Sequence, residues 1–272
     1  MSNSVQSSSQ GKTDSANEKT HEWAEVECMF RLKEWCKHYK ITHSEAMVFR
    51  FACFHKFDFE ASRRAIKRSM SNRLLHLRVE GSLLEQMQEA IVFPLPGLKT
   101  KDNKSDVLYL RQSRCVPSEE RNQRLMENVC YVFNDMSQTQ EECRNGVAII
   151  LNTKGFIDGR NHNEESISLF AQAVQGKLVP TKVRLVLVVG ATKRFENSWK
   201  QIKEILSPSF AKRFHFVTED KLGGYLMDTY ELYLPDELKG GCRDCIELAE
   251  DYSDLRVYEE RSEEERAKIM QK

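Results

Sequence analysis

Two nearly unbroken apolar stretches, Val147 to Leu151 (VAIIL) and Leu185 to Val189 (LVLVV), place the tightest limit on how this chain can fold. Neither alternates polar with apolar residues, so each needs cover on both faces, as strands of a parallel sheet do. The segment between them has helical spacing. Asn163 stands at an N-cap position, Glu164 and Glu165 follow at the positive end, Ile167, Phe170, Ala171 and Val174 share one face, and Gly176 stops the run. A second helix is expected over Ser198 to Leu206 and a further strand over Phe214 to Val217. The order is therefore βαβαβ. Parallel neighbours require such crossovers, which predicts an α/β fold with a mostly parallel sheet.

Upstream, the period is that of helices. Residues 1–20, rich in Ser, Gln and Lys, lack the apolar content to fold and are expected to be a disordered tail. An N-terminal helical lobe is expected over 21–90. Its first helix runs from Glu22 to Tyr39, its second starts near Thr42 or Ser44, and its third is capped by Asp58, with Ala61, Ala65, Ile66 and Met70 on one face. A short strand at Ile91 to Phe93 is expected to pair with Val107 to Arg111. A long helix then runs from Ser118 to about Met136, with Leu125, Val129, Val132, Phe133 and Met136 on its buried side. The main domain is expected over 91–241 and an acidic helical tail over 242–272, the helix itself from Glu247 to Lys268.

Charge and targeting signals narrow the function. The 41 basic and 41 acidic residues cancel, so bulk charge gives no argument for nucleic acid, and a polyanion would have to meet a local patch. Basic residues concentrate between Met47 and Arg78 and acidic ones between Asp244 and Glu265. No apolar segment resembles a secretory signal or reaches the roughly 20 residues of a bilayer span. A cytoplasmic protein with reduced cysteines is therefore expected. Cys242 and Cys245 form a C-x-x-C without the second pair a structural zinc site needs, so no metal is expected.

The corner after Leu185 to Val189 is where many α/β enzymes keep a phosphate loop or a nucleophile. Here it reads Gly190, Ala191, Thr192, Lys193. There is no second glycine for a dinucleotide loop, no G-K-[ST] for a P-loop and no G-x-S-x-G elbow. Cys115 and Arg121 have the C-x5-R spacing of a phosphate cradle, but Pro117 removes an amide donor and Glu119 and Glu120 would repel the anion. Neither a catalytic residue nor a cofactor is expected. What the corner offers is a stripe, Phe195, Trp199, Ile202 and Leu206 at i, i+4, i+7 and i+11, which on periodicity alone is core packing.

Four segments in order resemble the CRAL-TRIO lipid-binding family, which includes phosphatidylinositol-transfer and tocopherol-transfer proteins. They are VFRFACFHKFDFEAS from Val48, RNGVAIILNTKG from Arg144, VPTKVRLVLVVGATKRFENSWKQIKEIL from Val179 and LPDELKGG from Leu234. The wording is most similar to the lipid-binding module of certain non-receptor tyrosine phosphatases. The resemblance implies a helical lobe beside a sheet that floors a hydrophobic lipid pocket, with the helix after Val183 to Val189 as a mobile gate. It implies a non-enzymatic carrier that binds a phospholipid, phosphoinositide or other lipid, transfers or presents it, and contacts membranes peripherally. Phe195, Trp199 and Ile202 would then face the ligand. Val147, Ile149, Leu151, Val186 and Val188 would share the sheet face beneath it, and Ala171 and Val174 would form a wall. Lys182, Arg184 and Arg213 match positions that contact phosphoinositides in relatives. The pattern departs at Thr181, where inositol-lipid binders usually carry an acid, and at Glu204, Cys53 and His55. The alternative is an interaction module whose pocket has filled in and whose acidic C-terminal helix recruits a protein.

Overall fold

The structure, a computed structural model, describes residues 11–102 and 104–270. It divides into two compact units, residues 1–71 and 72–272.

The first unit holds α1 (Gly11–His38), α2 (Glu45–Phe54) and α3 (Phe59–Ser69). Helix α1 starts within the expected tail, the first ten residues of which lie outside the described residues. Ser44 caps α2 by accepting from the Met47 amide, and Asp58 caps α3 by accepting from the Ala61 amide at 2.8 Å. Each satisfies a donor that the first turn leaves open. The buried side of α3 is Ser62, Ile66 and Ser69; Met70, past the last turn, is exposed.

The second unit runs α4 (Gly81–Gln88), β1 (Val92–Lys99), β2 (Asp106–Arg111), α5 (Glu119–Asp135), α6 (Gln140–Asn145), β3 (Val147–Asn152), α7 (Glu164–Val174), β4 (Val183–Val189), α8 (Lys193–Ile205), α9 (Pro208–Ala211), β5 (Phe214–Val217) and α10 (Cys245–Met270). Helix α4 packs on α5 and α10 and so falls in this unit. Spatial order equals chain order, β1-β2-β3-β4-β5. Strands β1 and β2 are antiparallel, with Phe93 opposite Tyr109, and every later pair is parallel. Strand β1 continues past the expected Phe93 through two prolines to Lys99, with an irregular register after Pro94. It can do so because it is an edge strand, whose outward amides need no partner.

Register fixes what each sheet face carries. Leu110, Leu151, Val188 and Phe216 form one row, and Leu108, Ile149, Val186 and Phe214 another on the same face. Crossovers between parallel strands share one hand, so a strand order that never reverses puts α5, α7 and α8 together over that face. Tyr109, Arg111 and Asn152 belong to the other face, which is covered by the segment after β5 and the start of α10. The first half of α10 is no loose tail: Leu248, Ala249, Tyr252 and Ser253 are buried. Tyr252 donates to Asp135 at 2.9 Å, and Glu260 accepts from Tyr131 at 2.7 Å and from the Val79 amide at 2.9 Å.

Candidate ligand cavity

At the C-terminal ends of β2 and β3, side chains of α5, α7 and α8 stop short of the sheet and leave a cavity. Leu110 and Leu151 form its floor, Leu125, Met126 and Val129 of α5 and Ile167 and Phe170 of α7 its walls, and Phe195 and Ile202 of α8 its remaining side. The free volume is about 60 Å³. At about 10–15 Å³ per water this is room for a handful of water molecules, far less than an acyl chain needs. A larger groove of about 680 Å³ lies at the ends of β4 and β5, but it is open and carries Glu196, Glu219, Asp220, Glu231 and Lys239, a poor substitute for hydrocarbon.

Helix α8 follows β4 through a tight corner. Thr192 caps it by accepting from the Phe195 amide. Gly190, at φ +74°, makes the turn from β4; a Cβ there would lie 2.6 Å from Lys154 Cγ, so the corner keeps glycine for geometry and no phosphate loop is needed to explain it. Along α8, Ile202 falls in line with Phe195, whereas Trp199 is about 40° round the helix. Its ring packs on Phe214 at 4.6 Å and Phe216 at 5.4 Å. Phe195 instead meets Phe156 edge-on at 5.2 Å.

Of the ten expected cavity residues, Leu151, Phe195 and Ile202 line it. Val147, Ile149, Val186 and Val188 have the buried sheet positions anticipated for them, but Val147, Ile149 and Val186 sit nearer the strand starts, and none of the four lines the cavity. Ala171 and Val174 are buried along α7 outside its lining, and Trp199 is spent on β5. Lys182, Arg184 and Arg213 gather at the opposite end of the sheet. Lys182 and Arg184 donate to the Arg144 carbonyl at 3.2 and 2.7 Å, at the end of α6, and Arg213 donates to the Val183 carbonyl. Burial, with the neighbouring Arg184 charge, holds the Arg213 guanidinium below its ordinary pKa.

The loop between β3 and α7 supplies what periodicity could not reveal. Asn161 is buried and staples it, donating to the Ser113 and Cys115 carbonyls at 2.9 and 2.8 Å and accepting from the Ile157 amide at 2.7 Å. His162 stacks on Phe156 at 5.1 Å and lines the cavity. Its Nε2 lies 3.4 Å from Asp158 Oδ1, and Nδ1 is buried with no hydrogen-bond partner. Burial lowers its pKa against the opposing pull of Asp158. Ser198 of α8 donates to the same Asp158 oxygen at 3.4 Å.

On the opposite sheet face Glu237 gathers a polar network. It accepts from Tyr109, from Arg111 through Nε at 3.2 Å and Nη2 at 2.8 Å, and from Asn152 at 2.8 Å, while Lys154 donates to its carbonyl oxygen at 2.7 Å. Burial alone would raise the Glu237 carboxyl, but the Tyr109 hydrogen bond and the Arg111 charge bring it below its ordinary value.

The cysteines do not suggest chemistry. Cys115 is buried and its thiol is pushed up to about 12 by burial, so it is not the thiolate a phosphatase needs. Native protein treated with iodoacetamide at pH 8 is expected to leave Cys115 unmodified by peptide mass spectrometry, while the urea-unfolded chain is alkylated there. Cys245 is likewise buried with its thiol raised to about 12, and no cluster of metal-ligating side chains occurs among the described residues. No helix among them is long and apolar enough to cross a membrane.

Comparison with known proteins agrees with this architecture. No curated protein matches the chain. The crystal structure of Sfh5 aligns with a TM-score of 0.53 at 13% identity, over 81% of this chain and 88% of that one, a likeness of fold. The model of the CRAL/TRIO domain matches residues 93–240, from β1 to the LPDELKGG segment. With that match over more than half its length, and with the sheet and helices arranged as described, the chain belongs to the CRAL/TRIO family, a family of lipid-binding and lipid-transfer domains.

Proposed function

We propose that the protein is a non-enzymatic carrier that takes a single hydrophobic molecule between the sheet and helix α8 and releases it at a membrane surface. The observation that carries this is the apolar cavity floored by Leu110 and Leu151 and bordered by Phe195 and Ile202 of α8; Gly190, at the turn from β4 into α8, would serve as the hinge. Burying a chain of some 16 carbons gains on the order of 13 kcal/mol at about 0.8 kcal/mol per CH₂. A bilayer offers the same, so exchange is close to thermoneutral once the cavity opens. With only about 60 Å³ free, loading requires α8 to swing out, parting Phe195 and Ile202 from the α5 and α7 walls. The ligand class is a phospholipid, phosphoinositide or other lipid. Lys182, Arg184 and Arg213 lie away from the cavity, and in this cycle they meet the anionic membrane surface, not a headgroup inside.

Organic extracts of purified protein, analysed by mass spectrometry, are expected to contain one lipid per chain. An extract without lipid, together with no uptake from labelled vesicles, would rule the carrier out. The narrow cavity itself supports the second reading, an interaction module with a filled interior. In that case the partner would engage the acidic face of α10, and lipid-free protein would show no uptake.

A further inference from the structure

We infer that the free edge of β5 is an interface between two copies of this chain, which pair antiparallel about Phe216 and join their sheets. The inference does not depend on what the cavity holds. Strand β5 ends the sheet. The Val186 amide donates to the Arg213 carbonyl at 2.9 Å, so Arg213, and by alternation His215 and Val217, turn their backbone groups toward β4. Phe214 and Phe216 turn theirs outward, where no backbone partner meets them among the described residues. Thr218, extended at φ −87° and ψ 160°, lengthens this edge by one residue. The opposite edge of the sheet is guarded: β1 carries Pro94 and Pro96, and its register is irregular after Pro94. Strand β5 has no proline, lysine or acid, and its Phe216 is 41% exposed.

Charge identifies the occupant as a second copy. The stretch from Lys212 to Asp220 reads KRFHFVTED, two bases before the strand and two acids after it. Its surroundings have the same polarity. Arg184 lies beside Arg213 at the start of the strand, while the groove at its end carries Glu196, Asp220 and Glu231. Antiparallel pairing centred on Phe216 sets Phe214 of each copy opposite Thr218 of the other, so outward-facing residues meet outward-facing residues, as the ladder requires. The two Phe216 residues then lie about 5.5 Å apart at Cα, with their rings on one face. Lys212 of each copy, which is exposed, comes beside the exposed Asp220 of the other. A parallel arrangement would set base against base and acid against acid.

Sedimentation equilibrium of the full chain is expected to show a monomer in equilibrium with a dimer, with a dissociation constant on the order of 10 µM. F216P removes the central outward amide without touching the ladder to β4 and should leave a monomer. F216K, which sets two ammonium groups face to face, takes its place if far-UV circular dichroism shows F216P unfolded. K212D should weaken the dimer about tenfold, and the double variant K212D/D220K should restore it, because the reversed pair attracts as the original does. A chain that is monomeric at every concentration, its edge left for a strand of another protein, overturns the inference. So does a dimer indifferent to F216P, F216K or K212D, or a K212D loss that D220K does not recover.

Discussion

Replacing Gly146 by alanine destabilises the second unit by on the order of 4 kcal/mol. Gly146 joins α6 to β3 with φ +68° and ψ −170°, a region that in practice only glycine occupies. Its amide donates to the Glu142 carbonyl at 2.7 Å, ending α6, and the next residue, Val147, donates to the Lys182 carbonyl at 2.9 Å, starting the β3 to β4 ladder. A Cβ at 146 would run into that same Lys182 carbonyl, closer than real Cβ atoms approach. Relief would require shifting the central strand pair, because the obstacle is backbone and cannot rotate aside. The urea midpoint of G146A, followed by far-UV circular dichroism, should fall sharply with an unchanged slope. A midpoint within error of wild type would show that the turn is not under this constraint.

Glu237→Ala is the second large effect, at about 3 kcal/mol. The loss is less that of an ion pair than of what remains behind: Arg111, whose side chain is 10% exposed, would keep its charge with the Ala90 carbonyl as its remaining acceptor in this network, and Tyr109 would lose the acceptor for its hydroxyl. The pH dependence has a definite sign. The folded-state pKa of Glu237 lies below its ordinary value, so the stabilisation is complete above the ordinary carboxylate range and fades as pH falls through the folded value. The gap in unfolding midpoint between wild type and E237Q should therefore be wide at pH 7 and narrow steadily below about pH 4. A gap that stays constant with pH would mean that Glu237 acts through shape alone.

Much of this architecture is legible in the sequence because its strongest signals are periodic. The uninterrupted apolar runs of β3 and β4 require cover on both sides, and the Asn163 and Asp58 caps mark helix starts to within a residue. Strand β1 is harder, since Pro94 and Pro96 argue against a strand until its edge position is known. The cavity is less legible still. Alternation identifies which residues share the helix-covered face, but not how far along the strands the helices fail to fill the space. That depends on side-chain packing between α5, α7 and α8, which periodicity in any one of them does not encode. Leu125 and Val129 read as ordinary core for the same reason, and Trp199, core by periodicity and a ligand contact by the family resemblance, packs on Phe214. His162 carries no spacing motif. Its place in the lining comes from the loop fold that Asn161 holds, bringing the ring onto Phe156.

The return of α10 to the beginning of its unit bears on synthesis. Each strand of the sheet docks beside the one made just before it, so the layer can grow as the polypeptide leaves the ribosome. The surfaces of α4 and α5 that receive Tyr252 and Glu260 have no such early partner. They stay uncovered until α10 has been translated, so losing the segment from Tyr252 onward would strip a buried surface of its cover and not merely shorten a tail.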